Sequence, residues 1–323
     1  MRNLSARAEG AEAEVHDKSR DFWNREVQAP TYVEWMGIPL IRRRINRLVS
    51  GEEGGWPLDW FERAYPGKKF ERALSIGCGT GALERDLARR GICGSILAFD
   101  ASMASLAIAR REARAAGVAD RIHYYAADFN APILPGRSFD AVFIHQALHH
   151  VAKLEKLLRE VLKALRPGGI FYLEELVGPS RDAWSAERLR PLAEAYAALP
   201  RELRRFDALP APIQDDDPSE AIRSGEIREQ LAIGFDVEHD RGYGGNALAV
   251  LVPSLEPGAA GEAMVARLIA FEDELLARGE PHFYAVLATR PKAGFRGALA
   301  SARYFLEPKI KRVGREVRSL LRG

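Results

Sequence analysis

Between Ala73 and Ala88 the chain changes its period abruptly. A short apolar run, Ala73-Leu-Ser-Ile76, stops at three glycines in alternate positions, Gly77, Gly79 and Gly81. An amphipathic pattern then begins with Ala82, Leu83, Leu87 and Ala88. The order is strand, tight loop, helix. Glycine accepts backbone angles that other residues avoid and lets a ligand approach the main chain. The first N–H groups of the following helix lack internal partners and point into the same place. A second apolar run, Ser95–Phe99, ends in Asp100, twenty-three positions after Gly77. That is close to the spacing at which a nucleotide-binding βαβ unit sets a carboxylate against a ribose.

The alternation continues downstream. Strands are predicted at Ala73–Ile76, Ser95–Phe99, Ile122–Ala126, Phe139–Ile144 and Ile170–Glu174. Helices are predicted at 80–90, 102–116, 152–165 and from Ser185 to about Arg205. Strands alternating with helices imply parallel crossovers, hence an α/β, Rossmann-like doubly wound sheet. Ligands of such sheets bind at the carboxyl ends of the strands. That edge gathers Gly77, Asp100, Asp128, His145 and Glu174. Glu220 to about Ile233 reads as a further helix, and Phe235–His239 and His282–Thr289 as the last strands. Some forty residues separate those two, too many for a hairpin loop. Gly261 to Arg278 within them is helical, and a helical cap over the acceptor site is expected there.

Gly77-Cys-Gly79-Thr-Gly81-Ala82 also satisfies the dinucleotide pattern G-x-G-x-x-G/A, so a nicotinamide-dependent oxidoreductase is one alternative. The downstream segments favour another reading. Ser75-Ile-Gly77-Cys-Gly79-Thr-Gly81, Asp100, Ala126-Ala-Asp128-Phe129, Phe139-Asp-Ala-Val-Phe-Ile-His145 and Leu165-Arg-Pro-Gly-Gly169 follow in order. Together they resemble the class I S-adenosylmethionine-dependent methyltransferases over about residues 70–180. The resemblance implies S-adenosyl-L-methionine as cofactor, held by Ser75, Gly77, Cys78, Gly79, Gly81, Asp100, Ala101, Asp128, Phe129 and His145. Asp100 would hold the ribose hydroxyls, and Asp128-Phe129 the adenine. The family usually has an acid, which helps hold the methionine end of the cofactor, where this chain has Ser75. A catalytically silent binding or scaffold module with the same fold is a further alternative. An antiparallel last strand is expected from the same resemblance.

Methyl transfer needs an aligned acceptor, excluded water and, for a protonated oxygen or nitrogen, a base. His145-Gln-Ala-Leu-His149-His150 follows the fourth strand, the segment that borders the transferable methyl in proteins this chain resembles. His149 is the preferred base because histidine titrates near neutrality. His145 could serve the cofactor, His150 could pack the next helix, and Glu174 could orient an acceptor hydroxyl. The spacing of these residues is no recognised metal site, and no metal is expected. The stretch from Glu174 to Trp184, with Pro218–Ile222 and Tyr243-Gly-Gly245, resembles bacterial methyltransferases associated with cell-surface polysaccharide assembly. It implies O-methylation of a small molecule or glycan, a lipid-linked one included, with Arg181, Trp184 and Tyr243 against the acceptor.

The flanks differ in texture. Residues 1–16 are polar and expected to be disordered, and aromatic-rich helices up to about residue 69 form an N-terminal lid. Packing accounts for most of those aromatics. The methyltransferase domain is expected over 70–290, with the cap insertion at about 246–280. From Arg290 the chain carries a net charge of +8, leaving −6 for the rest of a chain of net +2. Phe295, Leu299, Ala302, Leu306, Ile310, Val313, Val317 and Leu320 form one helical stripe among these cations. A basic amphipathic helix over 291–323 is expected, facing an anionic membrane surface, a protein partner or a second copy in a homodimer. Nucleic acid is not favoured as a partner. Two cysteines, no signal-peptide pattern and no long apolar run make a cytoplasmic protein the expectation, with peripheral attachment to the inner face of the membrane through that helix.

Overall fold

The computed structural model describes residues 15, 17–28, 34–130, 132–213 and 216–293. The expected C-terminal helix and most of the N-terminal tail lie outside these residues. The chain divides into two compact units.

One unit comprises residues 68–173, 227–240 and 287 onward. It holds β1 Phe70–Ile76, β2 Cys93–Asp100, β3 Ile122–Ala126 and β4 Phe139–His145 whole, and most of β5 Leu165–Leu176, β6 Phe235–Gly242 and β7 Tyr284–Pro291, whose remaining residues belong to the other unit. Their order is β3-β2-β1-β4-β5-β7-β6, mostly parallel with antiparallel last strands. The expected doubly wound α/β sheet is therefore present. The central strands are nearly continuous apolar runs because both faces are covered: Leu74, Ile76, Ile96, Ala98, Val142, Phe143 and Ile144 are buried. The sheet winds outward from β1 in both directions, through β2 to β3 and through β4 to β5. That reversal opens a crevice at the ends of β1 and β4. Register levels the strand ends: Ile76 pairs with both Phe99 and Ile144, and Asp100 with Ala126. Residues immediately after these pairs therefore share one edge.

The other unit comprises residues up to Gly67, Glu174–Glu226 and Arg241–Val286. It holds helix α1 (17–26), the 3-10 turn Trp35–Gly37, α2 Pro39–Ser50 and α3 Pro57–Ala64. In the sheet-bearing unit follow α4 Ala82–Arg89, α5 Met103–Ala115, α6 Leu154–Ala164 and, later, α8 Ile227–Gly234. The helical unit adds α7 Ala186–Ala197, α9 Leu248–Leu251 and α10 Glu262–Ala277. Proline at the first position of α2 and of α3 gives each a pre-set start. Ile41, Ile45 and Val49 of α2 recur at helical spacing and are fully buried. Arg44 shares that buried face. It donates to Glu272 Oε1 at 2.9 Å, while Glu272 Oε2 accepts the N–H groups of Gly245, Ala247 and Leu248. This charge pair is buried but saturated with hydrogen bonds, the condition under which buried ions are tolerated.

Several sequence boundaries moved: β1 and β2 start earlier than expected, at Phe70 and Cys93, and the helix expected to reach about Arg205 ends at Ala197. The helix expected from Glu220 begins only at Ile227, after a 3-10 turn at Ser224–Glu226, and Ala221 holds a φ of 53° that a helix cannot contain. β5 begins at Leu165, five residues before the expected Ile170. Asp140 of β4 anchors that extension by accepting from Arg166 Nη1 at 2.9 Å.

Candidate active site

The glycine loop follows β1 as expected. Gly77, Gly79 and Gly81 all take positive φ, at 67°, 51° and 77°. Gly77 and Cys78 both direct their N–H groups to Phe99 O, at 2.9 and 3.2 Å, which ties the loop to the end of β2. A Cβ at Gly77 would lie within 3.0 Å of the Ala147 Cβ, closer than real Cβ atoms come. The loop is thus pressed against the turn that follows β4. Gly79 is different: a Cβ there would meet nothing within 4 Å. Its N–H donates to Asp100 Oδ2 at 2.8 Å.

Asp100 closes the other side. Its Oδ1 accepts from Ser102 N–H at 2.8 Å, and Ser102 in turn caps α5 by accepting from Ser105 N–H. Burial raises the Asp100 carboxyl above its ordinary value, and the N–H groups of Ser102, Gly79 and Ala101 oppose that rise. The two carboxylate oxygens offer about four lone pairs, so three backbone N–H groups leave acceptor capacity for a ligand. After β3, the exposed Asp128 accepts from Asn130 N–H at 2.8 Å, and Asn130 Oδ1 accepts from Ala152 N–H at 2.9 Å. These bonds join the loop carrying Asp128 and half-buried Phe129 to the segment after β4. Phe129 Cε1 would lie 3.9 Å from a Cβ at Gly77.

His145, the last residue of β4, is exposed. His149 and His150 occupy a buried 3-10 turn, Leu148–His150, with ring centroids 4.1 Å apart. Ser75, Gly77–Gly81, Asp100, Ala101, Asp128, Phe129, His145 and His149 therefore belong to one unit and lie at or just beyond the levelled strand ends, Ser75 being the last residue but one of β1.

Glu174, Arg181, Trp184 and Tyr243 belong to the other unit. Glu174 and Glu175 are both buried. Arg181 donates from Nη1 to Asp217 O at 3.0 Å, and its own N–H bonds Ala221 O. Trp184 meets Phe283 edge-on, with centroids 5.8 Å apart. Tyr243 is fully buried against Tyr284, in the manner of a core side chain.

One residue escaped the sequence reading. Glu84, in the first turn of α4, is 1% exposed. Ser75 Oγ donates to its Oε1 in a short hydrogen bond, and its Oε2 has no hydrogen-bond partner among the described residues. Burial pushes this carboxyl up, and the Ser75 hydroxyl opposes that push. The sequence did contain a signal. Glu84 lies three and four positions before Leu87 and Ala88, on the buried stripe of the helix.

The "Methyltransferase domain" family model matches residues 74–173. The chain is 29% identical over 166 residues to the ubiquinone biosynthesis O-methyltransferase of Rhizobium johnstonii, covering 51% of this chain and 64% of that protein, less than two thirds of its length. It is 30% identical over 213 residues to the demethylmenaquinone methyltransferase of Thermus thermophilus, covering 61% of this chain and 88% of that protein. Among solved structures, Haemonchus contortus phosphoethanolamine N-methyltransferase 2 in complex with S-adenosyl-L-methionine aligns with a TM-score of 0.48 at 19% identity, over 83% of this chain and 59% of that one. Among the described residues no helix is long and apolar enough to cross a membrane.

Proposed function

This chain belongs to the S-adenosylmethionine-dependent methyltransferases, and from that premise we propose that it methylates an oxygen of a small-molecule or glycan acceptor. The observation that carries the proposal is the cradle at the crevice of the sheet. A loop of positive-φ glycines is clasped through Gly79 by Asp100, and the Gly79 Cα faces open space. These residues fit the cofactor chemically. Asp100 has acceptor capacity for ribose hydroxyls, Phe129 offers an apolar ring for adenine, and the loop admits a ligand against bare backbone. When bound, S-adenosylmethionine supplies an activated methyl group and its own leaving group.

The chain's remaining task is to hold the acceptor and manage one proton. We assign the proton of the acceptor hydroxyl to His149, with the exposed His145 as the second candidate. The relatives' names, which refer to ubiquinone biosynthesis and demethylmenaquinone, favour a small molecule over a glycan. The test is transfer of a labelled methyl group from S-adenosylmethionine to a panel of demethylated quinone precursors and sugars, with wild type and His149→Ala. Turnover on at least one hydroxyl acceptor is expected, slowed in the variant while cofactor binding stays nearly intact. An unchanged rate in the variant would move the base elsewhere. Cofactor binding with silence across the whole panel would favour a scaffold role.

A further inference from the structure

A buried carboxylate is costly unless its oxygens are paired. Glu84 meets only half of that requirement, with Oε1 bonded to Ser75 and Oε2 idle. Its neighbours on the stripe, Leu87 and Ala88, are apolar and fully buried, so a leucine at 84 would extend the stripe without a desolvation cost. The charged residue is therefore not explained by packing. A buried polar group left unmet in this way calls for an explanation, and a charged ligand beside it is one.

The carboxylate's surroundings locate it. Burial is the main cause that raises both the Cys78 thiol and the Tyr124 phenol, and the Glu84 carboxylate adds to it in each case. His145 and Arg85 act on that carboxylate in the opposite sense to burial. Ser75 is the last residue but one of β1, Cys78 lies in the glycine loop, and His145 ends β4. The Ser75 hydrogen bond thus sets the Glu84 carboxylate beside the end of β1, where the glycine loop begins. Position 75 is also where the resemblance leads one to expect an acid, and the structure pairs the serine found there with an acid from the next helix.

We propose that Glu84 supplies, from the first turn of α4, the negative charge that favours the ammonium group of the cofactor's methionine moiety, in place of an acid at position 75. The proposal rests on the methyltransferase reading. Its basis is electrostatic: in a site of low dielectric a buried negative charge strongly favours a nearby cation. Glu84 is in this sense a positioning residue, and its charge rather than its shape matters.

The experiment is calorimetry on the full chain with two probes, S-adenosylhomocysteine and 5′-methylthioadenosine, which lacks the amino-acid end. Glu84→Gln keeps an acceptor for the Ser75 hydroxyl but removes the charge. It should weaken S-adenosylhomocysteine at least about tenfold, equivalent to 1.4 kcal/mol, and leave 5′-methylthioadenosine within about twofold. Ser75→Asp combined with Glu84→Leu should recover most of the loss, because the charge returns from β1. Thermal melts of both variants verify that they fold. Equal S-adenosylhomocysteine affinity in wild type and Glu84→Gln overturns the role of Glu84 while leaving the methyltransferase reading intact. So does a loss of equal size for both probes, which would mark Glu84 as a support of the loop. A wild-type protein that binds neither probe overturns both.

Discussion

Alanine at Gly77 and alanine at Gly79 should have opposite balances of damage. Both glycines hold positive φ, 67° and 51°, so an L-residue at either costs about 1–2 kcal/mol in backbone energy. At Gly77 the new Cβ also falls within 3.0 Å of the Ala147 Cβ. Forced overpacking of that kind adds roughly 1–3 kcal/mol, so Gly77→Ala should lose about 2–5 kcal/mol. Gly79 has nothing within 4 Å of its virtual Cβ, so only the backbone cost of about 1–2 kcal/mol applies. For a protein of this size each kcal/mol lowers the melting temperature by about 2–4 °C. Melts followed by circular dichroism should place Gly77→Ala below Gly79→Ala, and both below wild type. The Gly79 methyl instead enters the open side of the loop, so that variant should lose cofactor affinity out of proportion to its stability. A Gly79→Ala protein that melts as low as Gly77→Ala, or that binds S-adenosylhomocysteine like wild type, would refute the assignment of that open space.

Other perturbations follow from the same contacts. Glu84 is held protonated by burial to a higher pH than in the unfolded chain, so ligand-free stability should fall as pH rises from the ordinary glutamate range through its raised value. Glu84→Gln has no such proton to lose, so denaturant titrations should show the variant gaining on wild type as pH rises through that window, and a constant difference would exclude the shift. Asp100→Ala should cost roughly 1–3 kcal/mol of S-adenosylhomocysteine affinity by calorimetry, through lost hydrogen bonds and an unclasped Gly79. Glu272→Ala should lose at least about 1–3 kcal/mol of stability, because Arg44 keeps only the half-exposed Asp273 as counter-ion and three N–H groups lose their acceptor; a denaturation midpoint close to wild type would contradict this.

What the sequence made legible was governed by local pattern. Each strand from β1 to β4 was visible as an apolar run, and each crossover helix as a 3.6-residue stripe. That Gly77, Asp100 and His145 share one edge was legible because parallel strands of similar length end level, as the pairing of Ile76 with Phe99 and Ile144 records. Contacts distant in sequence stayed hidden. β1 starts at Phe70 rather than Ala73 partly because the Arg72 N–H finds the Asp140 carboxylate, sixty-eight positions away. Ala147 under Gly77 carries no local mark, nor does the insertion of β7 between β5 and β6. Tyr243 could be read as a sugar-stacking residue because a core tyrosine and a binding tyrosine look alike in one dimension. Glu84 is hard to read for the opposite reason: an acid on a helix is usually solvated, and only its phase against Leu87 and Ala88 marks it as buried.

The central claim is that the cradle formed by the glycine loop and Asp100 takes S-adenosylmethionine rather than a dinucleotide. Titration of the full-length protein with S-adenosylhomocysteine and, separately, with NADH tests it directly. Saturable binding of S-adenosylhomocysteine at one site per chain, weakened by Asp100→Ala, with no heat from NADH, is the predicted result. Binding of NADH alone would contradict it.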